Sequence, residues 1–484
     1  IIEENIEAID KYLEYLNTNK LSDEYPNLTT QTGILADWLS VDSTSADLIN
    51  NAVYVYLMGL ARDMAGVIGR TDLQQKYAER YTLGKEQWNA KYINPDDGKP
   101  YPITSSGWGG VTTTVNDTEA AYATPLRYGI FNEENEPKAE KNYVEAVKKA
   151  RYTIPSGFSV TPNLVPVLTK YGYIKEAYKL FEQTEYASWL YPVTQGATSV
   201  WERWNSYTVE GGFNGNNSMN SFNHFSLGAI SEWMMSYQLG ITTDEGKAGY
   251  QDFVLQPTVG GTFTYANGSY DSNYGTIYSG WTAEEGEITS YQAAVPANTT
   301  ATLYLPINET QLDFMSIPQG ASYAGREKRN GQDCAKFALV SGSYSFDIAT
   351  RLEASNLSSQ KLKAELEAAK KELAEAEKAA EEAKKLAGEN SAKAQEALEA
   401  AKEAQLRVDR LEFSAKKMAV KAVKSKKKKA AVVTWKKVSG AEGYVIQYSR
   451  KSNLTGGKKL TIKKGSTVSR TIKKLQSGKK YYFR

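Results

Sequence analysis

Near residue 240 the spacing of apolar residues changes, and that switch restricts the chain to a helical part followed by a β part. Before it, apolar positions recur at the period of one helix face, as in Ile2, Ile6, Ile9, Leu13 and Leu16. After it, from Gln251 to Ile348, the period falls to two, in runs such as 261–266, 275–281, 288–293 and 301–305 separated by Gly, Asn and Pro turns. This pattern predicts an antiparallel β-sandwich. In the first part, helices are expected over 1–19, 45–70, 71–90, 119–129, 137–150, 162–170, 173–184 and 222–239, the last ended by Gly240. Loops at 20–44 and 91–118 separate them. Amphipathic helix pairs of this kind build either an α/α toroid or an α-solenoid, and the period alone does not choose.

Beyond the sandwich the composition changes twice. Residues 352–412 are dominated by Ala, Glu, Lys and Leu without proline, and their Glu-to-Lys spacing favours a long solvated helix. Its alanine-rich seam with sparse leucines fits a semi-rigid spacer better than an oligomerisation rod. There follows the basic run Lys424-Ser425-Lys426-Lys427-Lys428-Lys429 and a set of aromatic strands, Ala431–Trp435, Tyr444–Ser449 and Tyr481–Phe483. The expected organisation is therefore 1–242 helical, 243–349 β-sandwich, 350–412 charged long helix or coiled-coil spacer, and 413–484 basic linker with an incomplete β-module.

Composition narrows the chemistry. The 484 residues carry a net charge of +2, which conceals a strongly basic end and a more acidic remainder. One cysteine, Cys334, and one histidine, His224, leave no internal disulfide and no zinc ligand set of the usual kind, so neither a metal nor a cofactor is expected. No apolar run reaches membrane-spanning length. The lysine run lacks an RNA-binding aromatic motif beside it, so nucleic acid is not expected as a partner; a bacterial cell-wall polymer is the expected anionic contact.

The stretch with most chemical content is Gly196-Ala197-Thr198-Ser199-Val200-Trp201-Glu202-Arg203-Trp204, followed by Met219-Asn220-Ser221-Phe222-Asn223-His224. A carboxylate between two tryptophans and beside an arginine, followed by an imidazole, suits a neutral, polyhydroxylated ligand. Aromatic rings cover the C–H face of a sugar while amide, imidazole and carboxylate groups bond its hydroxyls.

These motifs, with Thr153–Phe158, Tyr186-Ala187-Ser188-Trp189 and Gly228…Glu232-Trp233 in the same order, resemble the C-terminal half of the catalytic domain of bacterial α-L-rhamnosidases, glycoside hydrolase family 78. Ala36-Asp37-Trp38-Leu39 is similar to that family's Gly-Asp-Trp-Leu, with Ala36 in place of glycine. Ile277–Trp281 and Val295–Ala301 resemble its C-terminal β-domain. The resemblance covers roughly residues 1–349 and implies the toroid, of the six-hairpin type, with its first helices preceding Ile1. The chain, which starts at Ile1 without methionine and stops at Phe483-Arg484 within a strand, is thus expected to be an internal fragment. The late aromatic strands resemble fibronectin type III modules of secreted bacterial proteins, which implies an extracellular or cell-wall location.

By the same resemblance the expected activity is inverting hydrolysis of terminal α-L-rhamnosides, with a rhamnose-containing glycan or glycoside as partner. Glu202 is then the general base. Asp37 resembles the family's acceptor of sugar hydroxyls, and His224 and Arg203 are binding residues. Trp38, Trp108, Trp189, Trp201 and Trp204 are candidate walls of the sugar site. Inverting enzymes need a second carboxyl about 6.5–9.5 Å from the first, to protonate the leaving oxygen. The family places that acid in an Asp-Cys-Pro-x-Arg type motif, and nothing like it occurs between Ile1 and Leu35. Glu3, Glu4 and Glu119 sit on ordinary helices. The chain as it stands is therefore expected to hold the base half of the site and to be inactive. A non-catalytic glycan-binding surface protein is the alternative.

Overall fold

In the computed structural model, all residues are described except 31–36, 108–109, 115, 214–218, 245–246, 390, 416–419, 428, 438–440, 442, 451–456, 477–478 and 484. The chain divides into two units, Ile1–Arg351 and Leu352–Arg484.

The first unit begins with α1 (Ile2–Asn19), α2 (Ala46–Val67) and α3 (Thr71–Tyr92), then a hairpin of β1 (Ile103–Gly107) and β2 (Gly110–Thr114). The hairpin occupies part of the 91–118 segment expected as loop. Next come α4 (Glu119–Arg127), α5 (Glu136–Lys149), α6 (Thr161–Lys170), α7 (Ile174–Phe181) and the short α8 (Leu190–Thr194), followed by the two-residue strands β3 (Tyr207–Thr208) and β4 (Gly212–Phe213). Burial distinguishes two classes of helix. In α4 every residue but Arg127 is buried, and α6 is nearly as enclosed, whereas α5 and α7 bury one stripe. A helix buried on all sides must lie between others. Accordingly α2, α4, α6 and α9 (Ile230–Trp233) adjoin in series, and α3, α5 and α7 pack outside α2, α4 and α6. Arg127 of α4 reaches Glu232 and Tyr237, both at 2.6 Å, across that inner series.

Hydrogen bonds between the segments that lead into the inner helices bring them to one end. Val41 N–H donates to Pro155 O at 2.7 Å, and Ser45 N–H donates to Asn116 Oδ1 at 2.8 Å. The loops before α2, α4 and α6 are thereby joined, which is what positions a site there.

The last inner helix differs from expectation. Instead of one α-helix over 222–239, a 3₁₀ turn at Ser226–Ala229 leads into α9, and a π-helical turn at Met234–Gln238 follows. The cause lies upstream. Residues 221–224 pair with 199–202: Glu202 N–H donates to Ser221 O at 2.9 Å and His224 N–H to Val200 O at 2.8 Å. That pairing fixes 221–224 against 199–202 instead of in a helical turn, and the helical series starts at Ser226.

The β part comprises β5 (Ile241–Thr242), β6 (Asp252–Leu255), β7 (Tyr265–Ser272), β8 (Gly275–Glu284), β9 (Glu287–Val295), β10 (Thr300–Leu305), then α10 (Glu309–Asp313), β11 (Ala321–Arg329), β12 (Gln332–Leu339) and β13 (Gly342–Asp347). Two sheets form, ordered β11-β12-β10-β6-β5 and β13-β9-β8-β7. Their facing side chains, Phe253, Leu303, Phe337, Tyr291 and Phe346 among them, make one core. The sandwich is not wholly antiparallel as expected, because β10 pairs with β6 in parallel. It is seated on the helices: Trp281 Nε1–H donates to Gln238 O at 2.9 Å, and the Tyr178 hydroxyl donates to Thr258 O at 2.6 Å. At the joint, a Cβ on Gly240 (φ +74°) would come within 2.1 Å of the Gln256 backbone, so glycine alone fits.

In the second unit the single helix expected over 352–412 is two, α11 (Arg351–Ala387) and α12 (Ala392–Ala415). Gly388, at φ +81°, ends the first, and Ser391 Oγ caps the second by accepting from Ala394 N–H at 3.2 Å. The helices fold back on each other. Lys370 pairs with Glu412 at 3.3 Å, Glu372 pairs with Arg407, and Ala369, Ala380, Ala394, Ala401 and Val408 are buried. The seam read as a spacer surface is thus covered within the chain. Six strands follow among the described residues: β14 (Val420–Lys427), β15 (Ala430–Trp435), β16 (Tyr444–Ser449), β17 (Lys458–Ile462), β18 (Ser469–Ile472) and β19 (Tyr482–Phe483). They form sheets β14-β15-β18 and β17-β16-β19 around Val433, Trp435, Tyr444, Ile446 and Ile472.

Candidate active site

Where the loops before the inner helices meet there is a cavity of about 320 Å³. Ser40 and Val41 line it from the first loop, Gly157 and Phe158 from the third, and Glu202, Arg203 and Trp204 from the segment after α8, with Tyr186 at its side. Three of the residues singled out in the sequence therefore share one cavity. The volume falls in the range of small-ligand pockets, about 300–1,000 Å³.

Glu202 is held through Ser221, whose N–H donates to Oε2 at 2.8 Å. No hydrogen bond reaches Oε1 among the described residues. Arg203 beside it is tied down at the backbone, its N–H donating to Ser206 Oγ at 3.2 Å, while its side-chain Nε is buried without a partner among the described residues. A buried guanidinium donor without a partner is a cost to the fold, while the residue itself lines the cavity. Burial raises the Tyr186 hydroxyl above its ordinary pKa, with the neighbouring Tyr191 adding to the rise and the positive charge of Arg203 acting in the opposite direction.

Trp204 is 5% exposed and meets Trp189 edge to face, with ring centroids 6.1 Å apart. Trp189 is fixed by its Nε1–H, which donates to Leu227 O at 2.9 Å. Trp201 is 6% exposed and packs edge-on against Phe222 at 5.3 Å. Neither Trp189 nor Trp201 lines the cavity, and both support the segment that presents Glu202. His224 lies one layer out. Its ring stacks between Phe158 and Phe225, at 4.9 and 5.3 Å, and its Nδ1 accepts from Ser226 N–H at 3.3 Å. That bond leaves the proton on Nε2, the nitrogen free to donate.

Asp37 does not open onto the cavity. Its Oδ2 accepts from Gly157 N–H at 2.8 Å, and its Oδ1 accepts from Val160 N–H at 3.2 Å and Ser159 Oγ at 3.3 Å. Burial raises its pKa, against those donors. Both oxygens are thus occupied in clamping the first loop to the third, and Phe158 N–H completes the clamp by donating to Trp38 O at 3.0 Å. The approach is so close that a Cβ on Gly157 would meet Trp38 O at 2.2 Å. Trp38 is half-buried on this clamp and outside the cavity lining; Trp108 lies outside the described residues.

One group that the sequence sets aside as ordinary is Glu119, at the first turn of α4. It is 2% exposed, and neither carboxylate oxygen has a hydrogen-bond partner among the described residues. Burial, and then the charge of Asp42, push its pKa well above the ordinary value. Asp42, whose charge it feels, follows Ser40 and Val41 in the first loop. A glutamate at a helix start is so ordinary in a sequence that only its surroundings set it apart.

Residues 1–237 match the bacterial alpha-L-rhamnosidase six-hairpin glycosidase domain, and residues 240–314 match the bacterial alpha-L-rhamnosidase C-terminal domain. An alpha-L-rhamnosidase of Streptomyces avermitilis is 30% identical over 350 residues, 72% of this chain and 31% of that protein. One of Formosa agariphila is 31% identical over 320 residues, 64% of this chain and 32% of that protein. The chain spans about a third of the length of these relatives. The crystal structure of the Streptomyces avermitilis enzyme complexed with L-rhamnose superposes with a TM-score of 0.62 at 30% identity, covering 72% of this chain and 31% of that one. The native enzyme of Aspergillus terreus, 22% identical, shares the fold at a TM-score of 0.56 over 71% of this chain and 36% of that one. With a helical six-hairpin domain and its β-rich C-terminal domain matched in order, the chain belongs to the bacterial α-L-rhamnosidase family.

Proposed function

We propose that the first unit binds a terminal α-L-rhamnoside of a glycan or glycoside at the Glu202 cavity and provides the general base for its inverting hydrolysis. One observation carries this: Glu202 faces the cavity with one oxygen fixed by the Ser221 N–H and the other unbonded among the described residues. A base so held can take a proton from a water placed against the anomeric carbon, leaving the departing oxygen to be protonated by a second carboxyl on the opposite face. Glu202 is the one carboxylate of the described lining. Around it, the Arg203 guanidinium lining the cavity is a donor for a sugar hydroxyl, the Trp204 and Phe158 rings are apolar walls, and His224 supports Phe158 from one layer out. Asp37 and Trp38 act here through the loop clamp, and Trp189 and Trp201 through packing. The relative from Streptomyces avermitilis, which has been crystallised with L-rhamnose, supports the choice of sugar.

In the second unit, strands in the sequence order first-second-fifth and fourth-third-sixth support a fibronectin type III-like module, and the helix pair supports a short intramolecular coiled-coil spacer. We read these as holding the hydrolase at the cell surface against an anionic wall polymer. Hydrolysis of an aryl α-L-rhamnoside, measured for the chain and for the longest polypeptide its gene encodes, tests the reading. Turnover by that polypeptide is the expected result; a folded protein that binds L-rhamnose and turns nothing over would point to a glycan-binding role.

A further inference from the structure

Residues 413–484 contain 22 Lys and Arg against a single acidic residue, Glu442, while residues 1–412 contain 36 against 55. The basic residues are not merely spread over a surface. At one end of the C-terminal β-module is a cleft of about 790 Å³, and six cations line it: Arg450, Lys458, Lys473, Lys474, Lys479 and Lys480. They come from two connections. Arg450 and Lys458 flank the β16–β17 link, and the others belong to the β18–β19 link. All six are exposed, and no carboxylate is among the described residues of the lining.

Two tyrosines complete the cleft. The Tyr448 ring stacks on Phe483 at 5.9 Å, and the Tyr481 hydroxyl accepts from Gln476 N–H at 3.1 Å, so both rings are held in place. Cations clustered in a concavity repel one another and raise the local potential, and a bound polyanion relieves that repulsion. Held aromatic faces beside the charges add what a sugar ring needs, an apolar surface for its C–H face. A base-reading site would need free bidentate donors, whereas the only guanidinium in the described lining, Arg450, donates through Nη1 to Gln476 Oε1 at 2.9 Å.

We propose that this cleft binds a strand of anionic glycan, a polysaccharide bearing carboxylate or phosphate groups at intervals along the chain. The lysines take the anionic groups as point charges and the tyrosines take the intervening rings. The choice of a sugar polymer rests on the glycoside-hydrolase reading of the first unit; the charge argument does not. In function, the cleft would keep the acidic first unit near a polymer that its own negative charge repels.

The test is fluorescence anisotropy on the full chain with labelled oligogalacturonate, its methyl ester, a teichoic-acid oligomer and single-stranded DNA of matched length. The account expects binding to at least one anionic glycan, weakening as salt is raised, and no binding to the ester. Replacing Lys473, Lys474, Lys479 and Lys480 together by Ala is expected to weaken it by at least about tenfold. Lys436→Ala with Lys437→Ala, exposed and outside the cleft lining, is expected to leave it unchanged. The Lys473→Glu, Lys474→Glu pair, checked for an unchanged melting curve, repeats the loss with two substitutions. The two glycan arms tell a carboxylated polymer from a phosphate-bearing one. Equal binding of acid and ester, equal losses in the cleft and control variants, or tighter binding of DNA than of either glycan would each overturn the proposal. Since no hydrolysis is read, failure of the rhamnosidase reading would leave the result standing.

Discussion

Glu202 and Ser221 hold each other twice: the Glu202 N–H donates to the Ser221 carbonyl at 2.9 Å, and the Ser221 N–H donates to Glu202 Oε2 at 2.8 Å. The side chain of the proposed base is thus oriented by the same backbone pairing that keeps 221–224 out of the following helix. Because the donor is main chain, Ser221→Ala is expected to leave rhamnosidase turnover within about threefold, while Ser221→Pro, which deletes the N–H, lowers it by about 10²-fold or more. Glu202→Asp, shorter by one methylene, is expected to fall with the proline variant. Steady-state kinetics on the three variants, made in the longest polypeptide the gene encodes, check this. Equal rates for Ser221→Pro and Ser221→Ala would remove the bond from the account.

Arg203 leads to a prediction about affinity rather than turnover. Its guanidinium lines the cavity, and a hydrogen bond from a charged donor contributes about 1.5–3 kcal/mol. Arg203→Met is therefore expected to weaken L-rhamnose binding about 10- to 100-fold in calorimetry. An unchanged Kd would mean that this donor does not meet the sugar.

The loop clamp is a matter of stability. Asp37→Asn sets an amide N–H₂ against N–H donors, and Gly157→Ala forces a methyl onto the Trp38 carbonyl. Each is expected to lower stability by about 1–3 kcal/mol in urea unfolding and to reduce ligand affinity, since Gly157 and Phe158 line the cavity. Wild-type stability with reduced affinity for Asp37→Asn would instead make Asp37 a direct ligand of the sugar.

Glu119 determines a pH dependence. The unfolded chain ionises this carboxyl near 4.5, while the folded protein retains its proton to higher pH. The unfolded state then binds fewer protons, so the group's contribution to stability is lost as pH rises above that value. Glu119→Gln does not titrate. Its melting temperature relative to wild type is expected to climb as pH rises above about 4.5, and a flat difference would show the carboxyl ionised in the fold.

The sequence made much of this legible, for identifiable reasons. Helices α1 to α7 were readable because their apolar residues follow the helical period, and Gly240 marked the end of the inner series because its backbone approach admits no Cβ. Glu202, Arg203 and Trp204 share a cavity because they are adjacent in a segment whose type suggested a sugar. What escaped reading depends on partners far along the chain. Nothing local distinguishes an alanine seam that pairs with its own continuation, and Glu372 and Arg407 meet across a turn marked only by Gly388 and the Ser391 cap. A period of two does not encode strand direction, so the parallel β6–β10 pair was invisible. Asp37 resembled a sugar ligand by motif, yet its oxygens are filled by the 157–160 loop, a contact that only the fold creates.

The most direct test follows the anomer released from an aryl α-L-rhamnoside by NMR, for the longest polypeptide the gene encodes and for its Glu202→Gln variant. The account predicts that the first product is the inverted anomer and that Glu202→Gln lowers turnover by about 10²–10⁴-fold while L-rhamnose still binds. A retained anomer, or a Glu202→Gln enzyme as fast as wild type, would contradict it.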